Sequence, residues 1–326
     1  MSWKKVALGC MFGLLALVPA AFGQAGTTSA ADVQSFINDI TAPAPGVKWG
    51  LDVRVREEYA RNCFDVDDVA LYDDSNVFRF RNRLWMELGP FLSVEGPGAV
   101  PNNGVSFYVR LVYEPYVYTV RPDVPVVRPT MWNELALDNL YVNLDHFMNM
   151  PVSLKVGRQD MMYGRGLVMA EGTPFDGSRT IFFDAIKATL HLDPLVTNVD
   201  VFYANNKARE SRVEPLNVQS GPYLSEYDID IFGVYAINKM APGHEFHGYW
   251  IYHHDKLIMP NKPTLPKDKK INTAGALAQG RFAKNFDYYV EAAGQWGRQD
   301  GQPFGDAWAF SSDFGYTVEG TEATPV

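Results

Sequence analysis

Arginine recurs at every second position in two short stretches in the first third of the sequence. The stretches read VRVREEY, at residues 53–59, and FRFRNRL, at residues 78–84. A guanidinium group is planar and presents paired N–H donors that fit both oxygens of a carboxylate. A row of such groups can therefore bind anions in succession, or it can form ion pairs with acidic residues of the same chain.

Alternation of this kind predicts β-strands with one apolar and one charged face, because successive strand side chains point to opposite sides. Leu51, Val53 and Val55 share one face of the first strand, and the charged residues between them share the other. A soluble sandwich would show the same alternation, so the pattern alone leaves open whether the apolar face meets protein or lipid. The basic positions on the charged faces are Arg54, Arg56, Arg79, Arg81, Arg83, Arg110 and Lys155.

The first 23 residues have the pattern of a secretory signal peptide. Two lysines precede an apolar run at residues 6–18, and small residues precede the cleavage point after Gly23. The chain is therefore predicted to be exported. The predicted domains are the signal peptide at 1–23, a periplasmic leader at 24–46 with a short helix at 29–40, and a barrel at 47–326.

The charge of the exported chain excludes several classes of partner. Removal of residues 1–23 takes away two of the 29 basic residues and none of the 38 acidic ones, which leaves 27 against 38 and a net charge of −11. A chain this acidic is a poor nucleic-acid partner. Cys63 is the only cysteine beyond the signal peptide, so an intrachain disulfide and a thiolate metal cluster are both excluded.

The sequence beyond residue 23 favours a β-sheet that faces lipid. It contains no apolar run of about eighteen residues, the length that a membrane-spanning helix requires. The chain is nevertheless 13% aromatic, and only helices and closed barrels satisfy every backbone hydrogen bond in a membrane. We therefore predict an all-β fold, an antiparallel up-and-down transmembrane β-barrel in the bacterial outer membrane.

About twelve strands of roughly ten residues are separated by connections that alternate between long and short. Long loops of such a barrel are extracellular and tight turns are periplasmic. The long connection at 89–103 is an exception, because it falls on the side of the tight turns. The predicted strands are 47–59, 76–88, 105–114, 134–144, 152–160, 180–192, 198–204, 227–238, 245–254, 272–282, 286–296 and 307–317, and the long loops are 61–75, 115–133, 161–179, 205–226 and 255–271.

Two further stretches carry a resemblance to a known family. VGRQDMMYGRG, at 156–166, is followed by FDGSRTIFFDAIKATL, at 175–190, and together with RVREEY and FRFRNRL they resemble the alginate export family of outer-membrane barrels. The resemblance extends over roughly Val47 to Tyr316. It implies a monomer of about eighteen strands, of which this chain would hold an incomplete part. The matching motif positions are Arg54, Arg79, Arg81, Arg83, Arg158, Gln159 and Asp184.

The resemblance also implies a function, the passage of an anionic polysaccharide such as an alginate-like polyuronate, or of small anions, through an arginine-lined lumen. Outer-membrane lipid and periplasmic export proteins would be its other partners. Asp184 presents a conflict, because alternation places it beside Ile186 toward lipid and the resemblance places it in the channel. The predicted lumen residues are Arg54, Arg56, Arg79, Arg81, Arg83, Arg110, Lys155, Arg158, Gln159 and Asp184.

Three alternatives stay open at this point. The basic faces could serve only as cross-strand ion pairs, the barrel could be structural or adhesive without transport, or the protein could be a polysaccharide hydrolase or lyase. The spacing assembles no nucleophile, base and orienting acid, so no catalytic residue and no cofactor are predicted. The histidines of HEFHGYWIYHHD alternate between the faces of a strand, so no metal site is predicted there.

Overall fold

The computed structural model describes residues 38–60, 75–100, 103–120, 130–131, 135–170, 182–209, 212–216, 226–258 and 265–318. The predicted signal peptide and Cys63 lie outside these residues, and so does most of the predicted helix at 29–40, of which 38–40 are helical. The domain boundaries stay a prediction. Among the described helices, none is long and apolar enough to cross a bilayer.

Fourteen strands make up the described part of the sheet. Each of the twelve predicted strands is present, with ends shifted by a few residues. The strands are β1 (Val47–Ala60), β2 (Ser75–Phe91), β3 (Gly104–Tyr113), β4 (Tyr116–Val120), β5 (Thr130–Met131), β6 (Leu135–Asp145), β7 (Val152–Gln159), β8 (Phe183–Leu192), β9 (Thr197–Asn206), β10 (Tyr227–Asn238), β11 (His244–Leu257), β12 (Asp268–Ala283), β13 (Phe286–Gln299) and β14 (Gln302–Tyr316).

The strands form one antiparallel sheet in which neighbours in sequence are neighbours in space. From β6 to β14 each strand pairs with the next, and β1 pairs with β2 at the other end. Within the described residues β1 and β14 are not paired with each other, so the sheet is not closed. The predicted all-β up-and-down architecture is confirmed, as an open part of a barrel.

The two additional strands, β4 and β5, lie in the region predicted as the loop 115–133. β3 and β4 both pair with β2, at Asn82–Phe91 and Asn76–Arg79, and Pro115 lies between them. Proline has no N–H to donate to a ladder, but its carbonyl accepts the N–H of Phe80 at 2.9 Å. β3 and β4 therefore act as one interrupted strand beside β2.

The sheet is polar on one face and exposes apolar residues on the other. Along β1, Leu51, Val53 and Val55 are 48%, 39% and 60% exposed, whereas Arg54 and Arg56, which alternate with them, are half-buried. A continuous exposed apolar face of this size is unfavourable in water and suits hydrocarbon. The charged residues therefore lie on the face that a barrel turns inward, which we call the polar face.

The long connection after β2 is held by one buried side chain. Asn103, only 2% exposed, accepts the N–H of Val94 at 2.6 Å and donates to the carbonyls of Val94 and Val100 at 3.0 and 2.6 Å. Asn149 of the next short turn accepts from Val100 at 2.9 Å. The unusual length of this connection is thus compatible with an ordered turn on the short-turn side.

Between β8 and β11, the same side of the sheet carries a cluster of buried apolar and aromatic residues instead of charged ones. Phe202 is 1% exposed, and a Cβ added to Gly233 would lie 2.1 Å from its ring, so only glycine fits beside it. Met161, Tyr163 and Met169 pack into the same cluster from the connection that follows β7. We call residues 161–170 the inner loop, because they cover this part of the polar face.

Candidate functional site

Six arginines form a ladder across β1, β2 and β3 on the polar face. Arg79 Nε lies 3.1 Å from Glu58, which also pairs with Arg56, and Arg81 lies 3.1 Å from Asp52. The side chains of Arg56, Arg79 and Arg81 keep 31%, 25% and 19% of their surface exposed. These pairs are therefore open to water and to dissolved anions. The arginine ladder consists of Arg54, Arg56, Arg79, Arg81, Arg83 and Arg110.

The ladder ends in a buried ion cluster. Arg110 donates to Asp138 at 2.9 Å and to Asp160 at 2.7 Å, and Arg83 Nε lies 3.9 Å from Asp138. Asn139 donates to the other oxygen of Asp160 at 2.9 Å. The Asp138 side chain is 1% exposed, and those of both arginines are 11% exposed. Buried ions held by several partners are fixed in place, so this cluster supplies a permanent field rather than an exchangeable site.

Asp138 reaches this cluster through a β-bulge in β6. In the register of β3 and β6, Arg110 pairs with Asn139 and Leu111 pairs with Leu137. Asp138 is therefore an extra residue between two paired positions of β6. A bulge lets two consecutive side chains approach the same face, and both Asp138 and Asn139 are buried. Alternation gives no indication of this residue. The only sequence signal is an adjacent acid and amide within an otherwise apolar run.

Lys155 lies on the polar face of β7, directly across from Lys187 of β8. Its ammonium group is 4.5 Å from the centre of the Tyr141 ring, whereas Lys187 pairs with Asp200 at 3.3 Å. Among the described residues no carboxylate lies within 4 Å of the Lys155 ammonium group. Lys155 therefore adds positive charge to the wall beside the ladder.

Arg158 and Asp184 pair with each other on the apolar face. They are directly opposite in the β7–β8 register, which shows no bulge, and share the side of Val156 and Ile186. Arg158 donates from Nε and Nη2 to the two Asp184 oxygens at 2.9 and 3.2 Å, and from Nη1 to the carbonyl of Val213 at 3.3 Å. Alternation thus places Asp184 where the structure has it, since β8 begins at Phe183 and has no bulge that would turn Asp184 to the polar face. The Arg158 side chain is 2% exposed, so this pair positions the strand ends.

Gln159 is on the polar face, fully buried next to the start of the inner loop. Its amide donates to the carbonyls of Lys155, Gly157 and Ala185 at 3.3, 3.2 and 3.1 Å. All three carbonyls belong to β7 and β8. Gln159 therefore closes the end of these two strands, and its side chain has no surface on which a solute could bind.

The inner loop spans the polar face from β7 to β14. The Tyr163 ring stacks on Tyr235 with centroids 4.1 Å apart, and its hydroxyl donates to Asp200 at 2.8 Å. Burial and the neighbouring Asp200 carboxylate raise the pKa of Tyr163, so the phenol remains a donor. At the tip, Arg165 lies 4.2 Å above the Tyr289 ring and pairs with Asp313 of β14. The described part of the predicted extracellular loop 161–179 thus covers the polar face.

Behind the inner loop lies a buried network of phenols around one carboxylate. Glu291 and Tyr289 are 2% and 1% exposed. Tyr249 donates to Glu291 Oε1 at 2.8 Å and Tyr289 donates to Oε2. Tyr235 stacks on Tyr249 at 5.2 Å and bonds His247 Nδ1 at 2.7 Å. Sequence reasoning did not find Glu291. Tyr289 is two residues away on β13, but Tyr249 comes from β11 and Tyr235 from β10, which only the folded sheet brings together.

These observations define the class of protein. An antiparallel sheet that exposes an apolar face and carries charged side chains on the opposite one is the architecture of a porin-like channel. The protein is accordingly a transport channel of the bacterial outer membrane. The arginine ladder and the inner loop both lie on its polar face.

Comparison with known families matches residues 119–326 to the family described as alginate export. The match covers more than half of the chain, so the chain belongs to the alginate export family, and the resemblance found in the sequence is confirmed. Arg158, Gln159 and Asp184 lie within the matched residues. The five arginines of β1 and β2 and Arg110 of β3 precede it.

Comparison with curated protein sequences gave no match. Solved structures similar to this chain include Pseudomonas putida OprB at low pH, with 9% identity, 89% of this chain and 99% of that chain covered, and a TM-score of 0.33. Acinetobacter baumannii OccAB4 is similar with 11% identity, 79% of this chain and 69% of that chain covered, and a TM-score of 0.34.

Proposed function

We propose that this channel passes an anionic polysaccharide of the polyuronate class along the arginine ladder. The observation that supports this most is the partial exposure of Arg56, Arg79 and Arg81, each already paired with a carboxylate of the chain. A polymer carboxylate can take the place of Glu58 or Asp52 without any change of charge at the arginine. The ladder therefore favours polyanions over neutral sugars.

The strength of these pairs suits transport. Exposed ion pairs contribute about 0–1 kcal/mol each, so exchange of one carboxylate for another costs little. Arg79, Arg81 and Arg83 follow at every second residue, which is about 6.8 Å along a strand. A chain of regularly spaced carboxylates would thus move between successive weak sites, and a passage conducts when its binding is weak and repeated.

The buried ion cluster and the inner loop have supporting roles in this proposal. Arg83 and Arg110 stay bound to Asp138, so they add positive electrostatic potential but do not release Asp138 to bind a carboxylate of the polymer. The inner loop covers the face between β8 and β13, which leaves the ladder side as the open wall. Lys155 extends that basic wall to β7. Arg158, Gln159 and Asp184 hold the strand ends that carry the inner loop.

Conductance in planar bilayers tests the proposal. The double variant Arg79→Glu/Arg81→Glu should shift the reversal potential in a salt gradient toward cation preference, and should reduce block by an oligouronate by about tenfold or more. Arg79→Lys/Arg81→Lys keeps the charge and should retain anion preference. The matched control is Lys239→Gln, which removes a basic residue between β10 and β11, away from the ladder.

If the Arg79→Glu/Arg81→Glu variant keeps the anion selectivity of the native channel, the ladder does not line the conduction path. Equal block by a neutral oligosaccharide of the same length would argue against polyuronate. A reconstituted protein that conducts no salt would favour the structural or adhesive alternative.

The catalytic alternative has one specific observation in its favour. A lyase requires a base beside a cation that neutralises the uronate carboxylate, and Tyr289 lies beneath the guanidinium of Arg165. Tyr289 is 1% exposed and already donates to Glu291, however, so substrate cannot reach its oxygen. We therefore propose a channel without catalysis. Release of unsaturated oligouronate, followed by ultraviolet absorbance during incubation with the purified protein, would contradict this.

A further inference from the structure

Three potential metal ligands converge where β6 ends and β8 approaches it. Asp145 Oδ1 lies 2.9 Å from His146 Nδ1, and the ligand atoms of Asp145, His146 and His191 are all within 4.8 Å of one another. The two imidazole rings stack with centroids 4.0 Å apart and planes inclined by 21°, so one ring has to turn about its side-chain bonds before both nitrogens direct their lone pairs at one ion. All three residues are half-buried. Together with Ser153 of β7 we call them the turn cluster.

The hydrogen bonds of the turn cluster fix the tautomer of His191. Its Nδ1 lies 3.1 Å from the side-chain oxygen of Asn198, which can only accept, so Nδ1 carries the proton. In a neutral ring, Nε2 then presents its lone pair to the centre of the cluster. An outer hydrogen bond of this kind orients many metal-binding histidines.

The Ser153 hydroxyl faces two hydrogen-bond acceptors but has only one proton to donate. Ser153 Oγ lies 2.5 Å from Asp145 Oδ1 and 2.9 Å from His191 Nε2, and it accepts the backbone N–H of His146 at 3.1 Å. Its single hydroxyl proton can serve only one of the two acceptors. With His191 neutral, one acceptor therefore faces another lone pair, and a cation at this point would remove the conflict.

We propose that the turn cluster binds a divalent transition metal ion of the zinc type, with Asp145 Oδ1, His146 Nδ1 and His191 Nε2 as ligands. Two imidazoles and one carboxylate suit Zn²⁺, Ni²⁺ and Cu²⁺, whereas Ca²⁺ and Mg²⁺ prefer oxygen ligands. Ligands at about 2.1 Å in a tetrahedron are about 3.4 Å apart. Asp145 Oδ1 and His146 Nδ1 are 2.9 Å apart and all three ligand atoms lie within 4.8 Å of one another, so side-chain rotation can reach this spacing.

The site would connect β6, β8 and the turn between β6 and β7 at the short-turn end of the sheet. Asp145 ends β6, His146 begins the turn to β7, and His191 is near the end of β8. An ion there would fix this turn independently of the arginine ladder. The other described histidines provide a contrast, because His254 pairs with Asp268 at 2.7 Å without a second imidazole.

Calorimetric titration of the full chain with ZnCl₂ tests the proposal. The protein carries no histidine tag, is held in detergent and is first stripped with EDTA. We expect one Zn²⁺ per chain, and Co²⁺ should give the visible absorption of a tetrahedral site. His191→Gln and Asp145→Asn should each weaken binding by about 100-fold, Asn198→Ala by about 10-fold, and the control His254→Gln not at all.

Several results would overturn the proposal. A native chain that takes up no Zn²⁺, and only a proton at His191, would reduce the cluster to a hydrogen-bond network. Binding that persists in His191→Gln and Asp145→Asn would place the ion elsewhere. Circular dichroism of every variant separates loss of the ion from loss of the fold, and the Asn198→Ala variant keeps all three ligands, so weaker binding in it cannot be attributed to a missing ligand.

Discussion

The β1–β3 side and the β8–β13 side belong to the same polar face but satisfy their polar groups in opposite ways. On the first side, Arg79 and Arg81 form ion pairs with Glu58 and Asp52 and remain 25% and 19% exposed. On the second, Glu291 is 2% exposed and receives hydrogen bonds from two phenols. The neutral phenols around Glu291 are fixed by burial, whereas the proposed function requires the partly exposed ion pairs of the ladder to exchange partners. The inner loop separates the two, because it excludes water from one side only.

The largest expected effect concerns the buried ion cluster, where the ladder side is as buried as the β8–β13 side. Asp138→Ala leaves Arg83 and Arg110 without their fully buried partner, which should cost about 3–5 kcal/mol of unfolding free energy. Asp52→Ala, whose side chain is 43% exposed, should cost less than about 1 kcal/mol. Urea unfolding in lipid vesicles measures both. Equal losses of unfolding free energy in the two variants would show that the contribution of these ion pairs does not depend on their burial.

A smaller effect is expected where the inner loop meets the sheet. Tyr163→Phe removes the buried hydrogen bond to Asp200 and should cost about 1–2 kcal/mol. The matched control is Tyr203→Phe, which removes an exposed tyrosine–aspartate bond of 2.7 Å to Asp230 and should cost less than about 0.5 kcal/mol. Thermal unfolding of both variants in one detergent compares them. If the control costs as much, the inner loop is not sealed from water.

The smallest stability effect is expected at the tip of the inner loop. Arg165 and Asp313 are 56% and 60% exposed, so Arg165→Ala should cost about 1 kcal/mol or less from the ion pair and the ring contact together. The free tip should move more, which would increase the noise of the open-channel current. Lys256→Ala, a change on another strand, serves as the control. Quiet single-channel recordings from the Arg165 variant would show that the tip does not narrow the passage.

Alternation predicted twelve of the fourteen described strands, and the face of Lys155 and of the arginines in β1, β2 and β3. It succeeded because a lipid-facing sheet requires apolar residues at every second position over many strands. It also placed Asp184 correctly beside Ile186, where Arg158 pairs with it. The resemblance identified the family but assigned that pair to the channel, since a shared motif does not distinguish a residue that touches solute from one that holds a strand end.

Asp138 and the inner loop could not be found in the same way. A β-bulge inserts one extra residue into a strand, so a side chain can reach a face that simple alternation does not predict for it. The inner loop depends on contacts with β9, β10 and β13, which are far away in sequence. Its apolar residues Met161, Tyr163 and Met169 were the available signal, because a solvated extracellular loop would not need them. β4 and β5 were missed because Pro115 interrupts the pattern.

The contact between Arg165 and Asp313 joins residues 148 positions apart. Contacts between distant residues form late, because the intervening chain must first be ordered. The strands from β8 to β14 must therefore be in place before the tip of the inner loop can dock. Assembly in the membrane would then proceed from an unobstructed sheet to a partly covered one, and the docking of residues 161–170 would be its last step.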